Sequence, residues 1–596
     1  MKNRIIMLGG IASNIRTRKE AVRMKTGYRM IVAVVGMLML AAGVAQAATW
    51  TNGSGDWNDS NTGNWNPASV PGNSTVISLT QSSGSAINIT YAATTLTGTE
   101  SVTGTRYGNF TIGNAGGGLT TLFIDGTDLL PVNDGTVSSG GQLNITAGTY
   151  TPEGNFNLTS GGSVVQSGGK LQTHNYDLFM SGGTYTLNNG TSSVRIANFN
   201  PSSGIATFNQ SGGYFLPRYT GNAISMAPSG SGQAIYNQTG GTNAMGGINM
   251  YYNMSISGNS TYALSGATSF LQAGIFAMNG GTFTQSSGTT WANYQIDVQG
   301  GAQMSVSGGT IKMNLLKIGT GGTSGTVTLT GGNCYYAIGS SGGGIQIGGA
   351  TGSGTMIIKG CTVSGNSAAD SSVTIGVTGA LRGYGTIANG VFDTISNSGQ
   401  VIADGDGVDQ TLNLSSFNGP SADGSGSVLN PTENTSSNGW FATNHGKLTL
   451  PNLPIAAGTS TTNWGEAATD TAIDLVNSAT LALTGVASAA TLTGSLLALN
   501  RTDVTAIPAP AVGMSVHDFS LNKAFTSAIL TIRYNHLAVP SVSEGQVRLY
   551  WYNGSTWVDK TASLDTVNRK VTSVSLTALG KFAVVYKIRG TVIELY

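Results

Sequence analysis

Any hydrolytic or eliminative chemistry in this chain would start from its carboxylates, and they are sparse. The 596 residues hold 26 Asp and Glu, and between Leu178 and Ala369 there is a single acid, Asp297. Glycoside hydrolysis needs two carboxyl groups about 5–10 Å apart, so no such pair can form within that stretch. A polysaccharide lyase needs carboxylates to hold Ca²⁺ and a Lys or Arg base. The bases there are equally thin: Arg195, Arg218, Lys312, Lys317 and Lys359. The densest acids are Asp404, Asp406 and Asp409 in the stretch ADGDGVDQ. Their spacing is similar to that of Ca²⁺ loops, where several oxygens converge on one ion. The twelve-residue frame and its terminal Glu are missing, and a solvated acidic turn is the alternative.

The other reactive side chains read in the same way. None of His174, His445, His517 and His536 has a His or Cys two to four residues away. His517 and Asp518 are sequential and point to opposite faces if they lie on a strand. Gly339-Ser340-Ser341-Gly342-Gly343 spells G-x-S-x-G, but in so Gly/Ser-rich a chain chance explains it, and no strand-to-helix context supports a nucleophile elbow. The pairs Tyr251-Tyr252 and Tyr335-Tyr336 are candidates for glycan contact or an adhesive face, with stacking in the core as the other reading. Cys334 and Cys361, the two cysteines, are separated by one or two turns of a repeat. They form a disulfide in an exported protein or remain two buried thiols. No catalytic set emerges.

The elements that must carry these residues are β-strands punctuated by glycine. Gly-Gly pairs end at Gly141, Gly162 and Gly183, two steps of 21. Gly148 and Gly169 repeat the step with an offset of seven. Related phrases recur at Asn209-Gln210-Ser211-Gly212-Gly213, Asn237-Gln238-Thr239-Gly240-Gly241 and Thr330-Gly331-Gly332-Asn333 with drifting spacing. Fixed periods of about 20–50 residues mark solenoids, propellers or arrays. Between the glycines the chain alternates, as in Leu143-Asn144-Ile145 and Val327-Thr328-Leu329, which marks half-buried strands. A 21-residue coil at ~3.3 Å per residue has a perimeter of about 60–70 Å, room for three short strands and three turns. Propeller blades need about 40–50 residues each. The expected architecture is therefore all-β: a right-handed parallel β-solenoid over residues 81–430.

Flanking segments differ in texture. Residues 48–80 carry Trp50, Trp57 and Trp65. They are expected to plug the open N-terminal end of the solenoid, with sugar stacking as the competing use. After residue 431 the strands lengthen and Gly-Gly pairs thin out. Val547–Tyr552 leads into Asn553-Gly554, a hairpin signal. Residues 431–588 are expected to form an antiparallel β-sandwich, with 589–596 as a tail.

Met30–Val44 is apolar, follows a basic stretch and precedes Ala45-Gln46-Ala47. This is the pattern of a secretory signal peptide over residues 1–47. The full chain has 27 Lys/Arg against 26 Asp/Glu. Residues 1–47 hold eight basic residues and one Glu, so 19 basic and 25 acidic residues remain after cleavage, a net charge of −6. Such a chain lacks the basic footprint that nucleic acid requires. After cleavage no transmembrane segment is expected. Only 9% of residues are charged, against about 25% in ordinary globular domains. With 39% apolar residues in short β-like runs, an ordered repeat fits and disorder does not.

The spelling W…GDW…NW…VPG over 48–80 resembles the opening segment of bacterial autotransporter-type passengers and related surface β-helix proteins. Leu381–Asn418 (LRGYGTIANGVFDTISNSGQVIADGDGVDQTLNLSSFN) resembles their terminal coils. The likeness covers roughly residues 48–420 in short phrases. It extends to the passenger and not to the transporter, because the segment after 431 is too short and wrongly patterned for a barrel of ~10-residue strands. The resemblance implies a secreted or outer-surface protein of structural or adhesive type, contacting glycans or other surface components. Since several enzymes also sit on β-helices, a carbohydrate-binding protein or a lyase or hydrolase is the alternative; fold alone does not choose.

Overall fold

The computed structural model describes residues 48–51, 54–56, 64–66, 76–81, 84–91, 107–126, 129–173, 175–219, 221–245, 252–338, 343–365, 372–388, 394–397, 399–415, 440–464 and 477–588. The segment 1–47, Trp57, His174, Tyr251, the Gly339–Gly342 part of the G-x-S-x-G phrase, the 430/431 boundary and the tail lie outside the described residues.

The middle of the chain is a parallel β-solenoid. Each coil contributes three short strands, and each strand pairs in parallel with its counterpart one coil on, giving three sheets that run the length of the rod. In the first sheet Gly141–Ile145 pairs with Ser163–Gln166, and that strand with Gly183–Leu187. The register is Leu143–Val164–Tyr185, which matches the 21-residue step. The ladder continues through Phe208, Tyr236, Tyr262, Phe283, Met304, Val327, Met356 and Leu381. These inward positions are all buried. The alternation in sequence is thus the alternation of core and surface. Coil length drifts because insertions go into the turns, where they leave the ladder unbroken.

Glycine at the corners has a steric cause. At Gly241 φ is +70°, and a Cβ there would sit 2.5 Å from the Gly212 carbonyl of the preceding coil. Coils stacked at ~4.8 Å leave no room for a side chain at such a corner.

The core has a polar seam. In the first sheet the position two residues after the Leu143 ladder is usually aliphatic, but Gln166, Gln210, Gln238 and Gln285 occupy it with almost no exposure. Each amide nitrogen donates to carbonyls of its own corner and of the following coil: Gln238 Nε2 to Gly241 O at 3.0 Å and Phe270 O at 3.1 Å. In three of them the amide oxygen accepts from a tyrosine one coil on, as Gln238 Oε1 does from Tyr262 at 2.6 Å and Gln210 Oε1 from Tyr236 at 2.7 Å; Gln285 Oε1 accepts from the Thr290 hydroxyl at 2.8 Å. Those tyrosines stack in a column, Tyr185–Phe208–Tyr236–Tyr262, with centroids 4.5–4.7 Å apart. A buried amide is tolerable when its donors and acceptor are matched, and here the match repeats.

At the N-terminal end Trp50 and Trp65 pack edge to face at 5.0 Å and are both buried. Their burial removes these two rings from any sugar-stacking role. Parallel pairing runs past residue 430: Trp440–Asn444 pairs in parallel with Gln400–Asp404, and Lys447–Thr449 with Thr411–Asn413. Beyond it every pairing among the described residues is antiparallel. One sheet joins Ala490–Leu497, Ala511–Leu521, Gly580–Lys587, Val547–Tyr552 and Trp557–Asp559. The other joins Gly458–Trp464, Ala479–Val486, Ser527–Arg533, Lys570–Ser573 and Thr561–Asp565. Trp464 of one sheet stacks on Phe519 of the other at 5.2 Å. The sandwich is not a separate bead: Ala490–Leu497 pairs antiparallel with Lys447–Thr449, so its first sheet extends the second sheet of the solenoid and covers that edge.

At Asn553-Gly554 the hairpin forms with four loop residues, because Tyr552 pairs with Trp557. Gly554 has φ +98°. Asn553 acts through its side chain, whose oxygen accepts from the amides of Ser555 and Thr556. Among the described residues no helix is long and apolar enough to cross a membrane.

Candidate functional site

The acidic loop does not converge on a point. Asp404 Oδ2 meets Arg382 at 3.1 Å, while its Oδ1 accepts from Asn444 Nδ2 at 3.2 Å. Asp406 pairs with Lys359 at 2.8 Å. Asp409 accepts from the amide of Thr502 at 3.0 Å and from its hydroxyl, which hold its carboxyl below the usual range. The Ca²⁺ reading of Asp404, Asp406 and Asp409 is therefore corrected: three carboxylates are directed at three partners. Among the described residues no group of three or more His, Cys, Asp or Glu could hold a metal ion. The loop instead ties the last coils to the sandwich. Arg501, held by Asp503 at 2.8 Å, donates to the Gln410 carbonyl at 3.2 Å.

Cys334 and Cys361 are free and buried. In the ladder Cys334 lies opposite Val363, not Cys361. A two-residue offset across adjacent strands separates the Cα atoms by about 8 Å, beyond disulfide reach. Of the two readings, the disulfide is corrected and the pair of buried thiols stands. Burial pushes Cys334 up to about 12 and raises Cys361 too, which leaves both without thiolate reactivity.

In the sandwich, Ser515 Oγ and His517 Nε2 are 3.3 Å apart. This resembles a nucleophile and base, but both are buried and His517 Nδ1 has no partner. Burial lowers the imidazole to about 3, so it is no base at neutral pH. Asp297 is raised by burial, against the opposing pull of Lys317 and a hydrogen bond from Gln295 Nε2 at 2.7 Å. It has no second carboxylate beside it in the ladder, where its neighbours are Ala277 and Lys317.

The tyrosine pairs separate. Tyr252 and Tyr336 are buried, and Tyr336 donates to the Ala388 carbonyl at 3.3 Å; both are removed from the glycan-contact set. Tyr335 is exposed at 38%. The reason is the strand period: neighbours in sequence face opposite sides, so a Tyr-Tyr pair presents one ring.

Exposed aromatics that the sequence reading passed over join Tyr335 on one side of the rod. Among the described residues the exposed aromatics are Tyr176, Tyr214, Tyr219, Trp291, Tyr294 and Tyr335. Every one lies on the second sheet or in the turn that leaves it. Tyr214 opens the strand Tyr214–Pro217, and Tyr219 follows it. Tyr176 follows Lys170–Gln172. Trp291 and Tyr294 lie on Thr289–Gln299, and Tyr335 on Asn333–Tyr336. The strands concerned follow one another in the ladder from Lys170 to Asn333 through Thr191, Tyr214, Thr242, Phe270, Thr289 and Thr310. Seven coil steps at ~4.8 Å make a line about 34 Å long. Cations are set within it, exposed Lys170 and Arg218 among them. Arg195 lies over the Tyr219 ring at 5.6 Å and is held by both oxygens of Asp177 at 2.7 and 3.0 Å. Lys312 lies between Trp291 and Tyr335 in the ladder. Thr289, Thr310 and Asn333 supply a column of hydroxyls and an amide beside them.

No family model matches this chain, and no curated protein and no solved structure matches it.

Proposed function

We propose that this protein is an exported, non-catalytic adhesive rod of the bacterial surface or secreted matrix, of the autotransporter-passenger type without its transporter barrel. The observation that carries the reading is the confinement of exposed aromatics to one side of the solenoid. Flat rings that are costly to leave in water stand in a line parallel to the rod axis, beside Thr and Asn side chains that can exchange hydrogen bonds. Such a face suits repeated, individually modest contacts with an extended polymer, which add by multivalency. Export rests on the segment 1–47, whose n-region, apolar core and A-x-A site read as a signal peptide. The same face favours a second, narrower reading as a carbohydrate-binding protein, since pyranose rings offer an apolar C–H face to an aromatic and hydroxyls at the rim. A lyase or hydrolase has less behind it, because Asp297 lacks a partner acid.

The test is a screen of the purified protein against polysaccharide panels, with and without Ca²⁺, scored for binding and for new reducing or unsaturated ends. Binding without turnover is expected. Turnover of any polymer would establish an enzyme and overturn the non-catalytic reading.

A further inference from the structure

We infer that Trp291, Lys312 and Tyr335 form a binding site for an acidic sugar within a polysaccharide chain. The inference rests on the reading of the aromatic face as a polymer-binding surface and specifies its ligand. The three residues are in ladder register on successive coils, Trp291 opposite Lys312 and Lys312 opposite Tyr335. Both rings are 38% exposed and Lys312 is exposed. Trp291 and Tyr335 are two coils apart, about 10 Å, a span that two sugar rings fill. Lys312 occupies the ladder position between the two ring-bearing residues.

The charge of Lys312 is what narrows the ligand. Beside Tyr219, by contrast, Asp177 neutralises Arg195 through two hydrogen bonds. Lys312 has no such partner among the described residues. The chain holds no acid between Asp297 and Asp370, and Asp297 is engaged by Gln295 and faces Lys317 in the ladder. In the flanking columns of the same sheet, Thr289, Thr310, Asn333 and Thr362 on one side and Gln272 and Ser364 in line are polar and uncharged. An exposed cation with an aromatic residue one coil away on either side, and hydroxyl and amide groups in the adjoining column, is complementary to a uronate: the ring stacks, the carboxylate meets the ammonium. A neutral sugar would use the rings and leave the ammonium unused. Single-stranded nucleic acid would also stack, but a few scattered cations in a chain of 27 basic and 26 acidic residues offer it little.

The experiment compares binding of the full chain to alginate and to the same polymer with its carboxyls reduced to primary alcohols, by isothermal titration at low salt. Alginate is expected to bind more tightly than its reduced form. Lys312→Gln is expected to erase that preference, weakening alginate roughly threefold to tenfold while leaving the reduced polymer unchanged. Lys312→Arg should keep the preference. Trp291→Ala with Tyr335→Ala should weaken both polymers. Binding of both polymers with a ratio that Lys312→Gln does not change overturns the acidic-sugar site and leaves the polymer-binding face standing. Failure of both polymers to bind overturns the site and counts against the face. Tighter binding of a single-stranded RNA homopolymer than of alginate also overturns the assignment.

Discussion

His517 carries its imidazole inside the sandwich, stacked beside Phe519 at 5.9 Å, and burial lowers it to about 3. In the unfolded chain it titrates near the ordinary value of about 6.5. Between those values the unfolded state binds a proton that the folded state refuses. Stability from this group is therefore complete above about pH 6.5 and is lost as pH falls toward 3, by up to about 1.4 kcal/mol per pH unit. Thermal unfolding of His517→Leu should lose less stability between pH 7 and 4.5 than the parent does. The lowered carboxyls of Asp409, Asp503 and Asp565 act in a lower window, below about 3.8, and leave this one separable. Equal slopes in the two proteins would show that His517 is not buried as described. The residue scale is also where sequence reading was least able to see. Tyr335 and Tyr336 are indistinguishable by type; which one meets solvent depends on strand phase. Trp291 stands alone in TTWANY, and only the inward turn of Thr290 and Ala292 reveals that it faces out.

At the scale of the coil, the Gln–Tyr seam makes a prediction of its own. Gln238→Leu would leave the Tyr262 hydroxyl without its acceptor and take one donor from each of the Gly241 and Phe270 carbonyls, the first of which keeps the Phe270 amide at 3.0 Å. A buried group left unpaired costs about 1–3 kcal/mol. Urea denaturation should show a loss of several kcal/mol, whereas Gln303→Ala, at an exposed position on Ala302–Val306, should stay within about 0.5 kcal/mol. Similar losses in the two variants would mean that the buried amides do not hold the corners. The coils themselves were readable, since the 21-residue step of Gly141, Gly162 and Gly183 follows from the steric need at each corner. The seam was not. Gln210 and Gln238 stood in the recurring phrase N-Q-[ST]-G-G, and a polar residue before a turn is ordinarily a surface residue. The recurrence was the signal that could have marked it.

For the whole molecule, the solenoid and sandwich share a sheet and a clamp. Lys447–Thr449 pairs with Ala490–Leu497, Asp409 accepts from Thr502, and Arg501 reaches Gln410. In a stacked repeat, coupling passes mainly between neighbours. Arg501→Ala should therefore speed amide exchange around 405–410, 445–449 and 499–505 and leave protection across 141–329 unchanged. Faster exchange along the entire rod would contradict nearest-neighbour coupling. The clamp explains why an acidic loop with ligand-like spacing holds no common centre: its partners come from residues about 100 positions on and from the coil beneath, which spacing within the loop cannot disclose.

The most direct test of the aromatic face is retention of the full chain on immobilised alginate and cellulose, compared with a variant carrying serine at Tyr176, Tyr214, Tyr219, Trp291 and Tyr335. The parent should be retained on at least one matrix. The variant, with unchanged far-ultraviolet circular dichroism, should be retained roughly tenfold less or not at all. Equal retention of a folded variant would contradict the account, because the polymer would then be held by some other side of the rod.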